Sequence, residues 1–291
     1  MLTMEEHLLA TLNALELSSG DGEDTADLAK LFNLQPSPTS LQPGQVTGAD
    51  ADALVSLDTL LQERTGFTRG SVVIGVCEDG LPFVLNLNND PPASILIAGD
   101  PGSGKTRLLR AILVSAMVIN QPEDVNFCVV TPAPQEYADL VHTDHCSGLL
   151  RSRSLEARKL VNHLLEIADR RQYRDDHGPA QLLVIDDLAD FVHGLDDAAY
   201  WGFEWLVRIG AQVRIWIIAS QSSGSMSWLE DDLLEAFPLH VLGSLASQHD
   251  LLALTGSAYL DLQPLARGRQ FYVPCDDTWL RIWLCESGKG E

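Results

Sequence analysis

Ser94-Ile-Leu-Ile-Ala-Gly-Asp-Pro-Gly-Ser-Gly-Lys-Thr106 is the stretch whose reading decides the fold. A short apolar run, the pattern of a buried strand, leads directly into Gly99-Asp-Pro-Gly-Ser-Gly-Lys-Thr106, which fits G-x-x-x-x-G-K-[ST] in full. Beyond it, Leu108, Leu109, Ile112, Leu113 and Met117 recur at helical spacing between Thr106 and Asn120. Gly102 and Gly104 let the backbone open and approach phosphate oxygens with no Cβ in the way. The freed N–H groups and the helix N-terminus then face an anion. The loop residues Gly99, Asp100, Pro101, Gly102, Ser103, Gly104, Lys105 and Thr106, with Arg107 behind them, are expected to hold ATP. Lys105 would reach the β- and γ-phosphates and the Thr106 hydroxyl would coordinate Mg²⁺.

Such a loop needs an acid at the end of a neighbouring strand, and Gln181-Leu-Leu-Val-Ile-Asp-Asp187 supplies two. Asp186 is expected to hold the Mg²⁺ shell opposite Thr106, and Asp187 to polarise the attacking water. Ala219-Ser-Gln221 closes the next apolar run, placing an amide where it could orient water or register the γ-phosphate. The catalytic set is thus Lys105, Asp186, Asp187 and Gln221, and the metal set Thr106 and Asp186.

Around this centre the chain alternates strands and helices. Residues 71–76 and 83–87 read as a hairpin about a Glu78-Asp-Gly-Leu-Pro turn, and residues 125–130, 181–185 and 213–219 as further strands. Helices are expected at 154–173, with Ser154 as N-cap, and at 198–208. The alternation predicts an α/β core with a mainly parallel sheet flanked by helices. Residues 1–69 differ in texture: helical patterns at 4–16, 25–33 and 50–64 are joined by polar stretches, with a Pro/Ser/Thr/Gly-rich linker at 35–48. They read as an acidic appendage, able to dock a protein partner, ahead of an ATPase domain at 70–291.

The order of blocks resembles the motor domain of FtsK/HerA-type ATPases. Pro82-Phe-Val-Leu-Asn-Leu followed by the loop resembles that family's passage from hairpin into P-loop. Asp186-Asp-Leu-Ala-Asp-Phe is similar to its D-E-L-A-D-L block, Ala219-Ser-Gln to its A-T-Q block, and Leu265-Ala-Arg-Gly-Arg-Gln-Phe-Tyr to its closing L-G-R-G-D-M-L strand. The resemblance implies a RecA-like core in a homo-oligomeric ring, usually a hexamer, moving double-stranded DNA or, in secretion branches, protein. It also implies an arginine supplied in trans, for which Arg170, Arg171, Arg174 and Arg267 are candidates. Asp187 stands where the family has a catalytic glutamate, which predicts slow hydrolysis, and Ser222 where it often has arginine. The family's membrane segments and winged-helix DNA-reading module have no counterpart in the sequence.

Composition narrows the functions. No apolar run reaches the roughly 20 residues that cross a bilayer, and the five cysteines form no C-x-x-C pair, as in a cytoplasmic protein with reduced thiols. The net charge is −22, and residues 1–70 alone carry 3 basic and 11 acidic residues. Any DNA-facing surface must therefore be local, since phosphate binding is driven by Lys and Arg. The most basic stretch, 151–174, reads as a charged helix face interleaved with Glu156, Glu166 and Asp169, or as a patch toward DNA or another subunit. His142-Thr-Asp-His-Cys146 is too compact for a metal site and reads as a loop, while Trp201, Trp205 and Trp216 are expected in the core. Three functions stay open: a DNA motor, a slow ATP-dependent switch or assembly protein, and a secretion-type ATPase acting on protein.

Overall fold

The computed structural model describes residues 55–57, 60, 67–88, 94–173, 178–256, 264–275 and 278–286. Its strands are β1 (Val55–Ser56), β2 (Ser71–Cys77), β3 (Pro82–Asn86), β4 (Ile95–Gly99), β5 (Val125–Thr131), β6 (Cys146–Arg151), β7 (Ala180–Ile185), β8 (Ile215–Ser222), β9 (Leu239–Leu242), β10 (Gln270–Cys275), β11 (Thr278–Trp283) and β12 (Cys285–Glu286). Its α-helices are α1 (Lys105–Ile119), α2 (Leu155–Tyr173), α3 (Leu188–Val192), α4 (Asp197–Ile209), α5 (Asp231–Glu235) and α6 (Gln248–Thr255). Ten strands make one sheet in the order β3-β2-β11-β10-β9-β4-β8-β7-β5-β6. The block from β9 to β6 is parallel, and β10, β11, β2 and β3 extend it antiparallel.

The continuous apolar runs follow from burial on both faces. Successive side chains of a strand point to opposite sides, so Ile95 and Ile97 of β4 enter one core while Leu96 and Ala98 enter the other. On β8, Trp216 and Ile218 face the first core, and Ile215, Ile217 and Ala219 the second. Helix α1 covers the first with Leu108, Leu109, Ile112, Leu113 and Ala116. Helices α2 and α4 cover the second through Ala157, Val161, Leu164, Phe203 and Leu206. The mainly parallel α/β architecture is the one expected.

Local chemistry sets the element ends. Ser154 opens α2 by accepting a hydrogen bond from Ala157 N at 3.1 Å, the usual N-cap service. Asn120 closes α1 and ties it to the hairpin. Its Oδ1 accepts from Gly70 N at 2.7 Å, and its Nδ2 donates to Ser71 O and Ala116 O at 3.0 and 2.9 Å.

Several expectations need correction. Within the segment read as a helix over 50–64, the described residues Val55 and Ser56 form β1, paired in parallel with Cys285 and Glu286, while Leu57 and Leu60 are helical. Leu57 and Leu60 pack with Val73, Val76 and Cys285, so these residues share a core with β2 ahead of the boundary expected at residue 70. The helices expected at 4–16 and 25–33 and the linker at 35–48 lie outside the described residues. Strand β8 starts at Ile215 rather than 213, because residues 210–213 form a 3-10 turn that ends on Arg214 at φ +61°. Edge strand β6 begins where a loop was expected, and His145, just before it, is buried with Nδ1 2.9 Å from Val125 O. Trp216 is in the core, but Trp201 is 55% exposed and Trp205 only half-buried.

Candidate nucleotide site

The loop sits at the carboxyl end of β4, between the ends of β8 and β9. Gly102 and Gly104 take φ of +78° and +95°, the left-handed region open to glycine. Gly104 is also crowded, since a Cβ there would lie 2.7 Å from Gly268 Cα. The turn around Gly268 leans on the loop, with Gly268 N donating to Ser103 O at 3.2 Å and Arg107 Nη1 donating to Gly268 O at 3.1 Å. Asp100 ties the loop to its surroundings. Its carboxylate accepts from Ser223 Oγ at 2.7 Å and Ala246 N at 3.0 Å, and Arg267 stands 3.8 Å away. Pro101 and Gly102 form the exposed tip, while Ser103 is buried.

Lys105 is 9% exposed, and Nζ donates to the carbonyls of Gly99 and Asp100 at 2.9 and 3.0 Å. Burial lowers its pKa, opposed by the charges of Asp186, Asp100 and Asp187. Among the described residues no carboxylate lies within ion-pair distance of this ammonium, so an incoming anion can take that place. The N–H groups of the first turn of α1 have no partners within the helix and add to the same field.

Thr106 meets the acid at the end of β7. Its Oγ1 donates to Asp186 Oδ2 at 2.9 Å across 80 positions of sequence. Asp186 is 9% exposed and accepts two more hydrogen bonds, from Tyr137 Oη to Oδ2 at 3.0 Å and from Ser220 Oγ to Oδ1 at 2.7 Å. The Ser220 hydroxyl also accepts from Asp187 N at 3.1 Å, so one group braces both acids. Burial and the Asp186 charge push the Tyr137 phenol far above its ordinary range.

Asp187 and Gln221 are engaged differently from what their motifs suggest. Asp187 sits at φ +76° and caps α3, its Oδ1 accepting from Asp190 N at 3.1 Å. Gln221 is wholly buried. Its Oε1 accepts from Ala189 N at 2.9 Å, and its Nε2 donates to Ser225 Oγ at 2.7 Å and Ser222 O at 3.1 Å. Gln221 thereby joins β8 to α3.

Of the candidate trans arginines, Arg171 donates to the carbonyls of Pro179, Val213 and Arg214 and so locks its own fold. Arg267 stands beside its own loop, Arg170 is exposed near the end of α2, and Arg174 lies outside the described residues. Sequence reasoning overlooked Tyr137, Ser220 and Gly268. Ser220 lay inside the Ala219-Ser-Gln221 block and Gly268 inside the Ala-Arg-Gly block, which could have signalled them; Tyr137 lies in no recognisable motif.

The residues present fit a magnesium nucleotide. A Cβ at Gly104 would press on the Gly268 backbone that braces the loop, the Lys105 ammonium hydrogen-bonds to two main-chain carbonyls, and Thr106 and Asp186 offer the hard oxygen donors that Mg²⁺ takes.

Residues 57–193 match the FtsK/SpoIIIE family. Over 143 residues the chain is 27% identical to a DNA translocase FtsK of Mycobacterium leprae, covering 49% of this chain and 17% of the relative. Its fold is similar to the cytoplasmic domain of the type VII secretion ATPase EccC of Thermomonospora curvata, with a TM-score of 0.65, 19% identity and coverage of 82% of this chain and 33% of that one. It is also similar to the pCW3 conjugation coupling protein TcpA, solved with ATPγS, with a TM-score of 0.62, 17% identity and coverage of 80% and 69%. The chain thus spans a third or less of the length of FtsK and of the EccC domain. Sheet order, loop and paired acid are those of a P-loop ATPase fold, and within it residues 57–193 are similar to the FtsK/SpoIIIE family.

Proposed function

We propose that this chain binds ATP with Mg²⁺ and hydrolyses it as one subunit of a homo-oligomeric ring, a hexamer, that moves double-stranded DNA. One observation carries the nucleotide chemistry: Thr106 Oγ1 lies 2.9 Å from Asp186 beside the buried Lys105 ammonium. The loop glycines, main-chain N–H groups and Lys105 would hold the phosphates, and Thr106 and Asp186 the metal. When bound, Mg²⁺ neutralises charge on the phosphate oxygens. Asp187, one methylene shorter than glutamate and engaged in capping α3, supports slow turnover with the carboxylate at 187 acting on water. Gln221 relays between β8 and α3. Arg170, exposed near the end of α2, is our choice for the arginine completing a neighbour's site. Residues 1–69 are proposed to dock a protein partner, and the protein to work in the cytoplasm.

The net charge of −22 favours a second reading, in which the cargo is protein. Phosphate release measured with and without linear duplex DNA separates the two. Stimulation by DNA that vanishes in Lys105→Ala supports the DNA motor. Turnover indifferent to DNA, in protein that light scattering shows assembling with ATP, supports the protein cargo. Absence of ATP binding by folded protein removes both.

A further inference from the structure

We propose that Tyr137 is a positioning residue for Asp186, and that with Ser220 it sets how strongly the site takes Mg²⁺ beside ATP. The assignment rests on the nucleotide reading above. A buried carboxylate needs its lone pairs satisfied, and Asp186 finds three neutral hydroxyl donors. Thr106 and Tyr137 share Oδ2 at 2.9 and 3.0 Å, and Ser220 takes Oδ1 at 2.7 Å. These hydroxyls come from three elements: α1, the 3-10 turn Pro134–Tyr137 after β5, and β8. Together they fix the carboxylate at both ends without neutralising its charge.

The placement of Tyr137 is itself built. Arg110, one turn beyond Thr106 on α1, donates from Nη1 and Nη2 to the Asp139 carboxylate at 2.8 and 2.7 Å, and also to Glu136 O. Its guanidinium stands 5.8 Å from the centre of the Tyr137 ring. The helix carrying the loop hydroxyl therefore also clamps the turn carrying the phenol, and both hydroxyls converge on one oxygen. A tyrosine present only to fill space could satisfy its hydroxyl on any nearby carbonyl; this one donates to the carboxylate proposed to hold the metal.

Hydrogen-bonding partners of metal ligands typically alter metal affinity about 10- to 100-fold when removed. The experiment is calorimetric titration of the full chain with ATP, in EDTA and across a Mg²⁺ series, for wild type, Tyr137→Phe, Ser220→Ala and Arg110→Gln. Uptake of metal-free ATP, which depends on Lys105 and the loop, serves as the internal reference. The expected result is that the affinity gain conferred by Mg²⁺ shrinks about 10-fold in Tyr137→Phe and Ser220→Ala, and less in Arg110→Gln. A folded Tyr137→Phe with the wild-type gain overturns the assignment. If Tyr137→Phe does not fold, wild-type gains in both Ser220→Ala and Arg110→Gln overturn it instead. Wild-type protein that takes up no ATP in either condition overturns the nucleotide reading as well.

Discussion

At Gly104 two demands meet in one residue. Its φ of +95° costs an L-residue about 1–2 kcal/mol, and an added Cβ would press on Gly268 Cα at 2.7 Å. Gly104→Ala is therefore expected to cut Mg-ATP affinity about 5- to 30-fold, the equivalent of that strain, and to lower the melting temperature; calorimetry and a thermal melt check both. Asp187 separates charge from capping. Asparagine keeps a side-chain oxygen for Asp190 N and tolerates the left-handed region, so Asp187→Asn should fold and bind ATP while phosphate release falls about 10²-fold or more. Turnover near wild type would show that the carboxylate at 187 serves the helix alone. The loop residues were legible because glycine spacing, lysine and threonine form a motif whose pattern a bound phosphate would dictate. Tyr137 was not, because its role depends on where a turn 30 residues beyond the loop folds back.

Among elements, the junction of α1 with the hairpin hangs on Asn120, which serves one N–H and two carbonyls. Asn120→Ala leaves Gly70 N–H and Ser71 O buried without that partner, and should destabilise the fold by about 1–3 kcal/mol, read from a denaturant midpoint. The central strands declared themselves through unbroken apolar runs, since a strand covered on both faces has no polar side to show. Edge strand β6 did not: in Cys146-Ser-Gly-Leu-Leu-Arg no residue is fully buried, so burial imposed no pattern there. The misplaced tryptophan has a related cause. Trp201 lies at helical spacing on α4, yet that helix buries Ala199, Gly202, Phe203 and Leu206 instead.

For the molecule as a whole, thiol burial predicts the alkaline limit. Cys77, Cys128 and Cys285 are each pushed from 9.0 up to about 12, chiefly by desolvation. Above pH 9 the unfolded chain therefore releases thiol protons that the folded chain keeps, so it binds fewer protons. Stability from this source is complete below about pH 9 and declines as pH rises toward 12. Melting temperatures between pH 8 and 10.5 should fall, and the fall should lessen in Cys77→Ala/Cys285→Ala. A flat profile would mean that these thiols ionise as readily in the fold as in water.

The lean of Gly268 against Gly104 reaches beyond the loop itself. A polypeptide ending at residue 193 would include the glycines, lysine, threonine and both aspartates that a motif search seeks. It would still lack the serine bracing those aspartates and the late turn shouldering the phosphate cradle. The loop thus reaches its full bracing only when residues 220 and 268 fold back onto it. In a nascent chain the brace between Ser103 and Gly268 cannot form until residue 268 has been made.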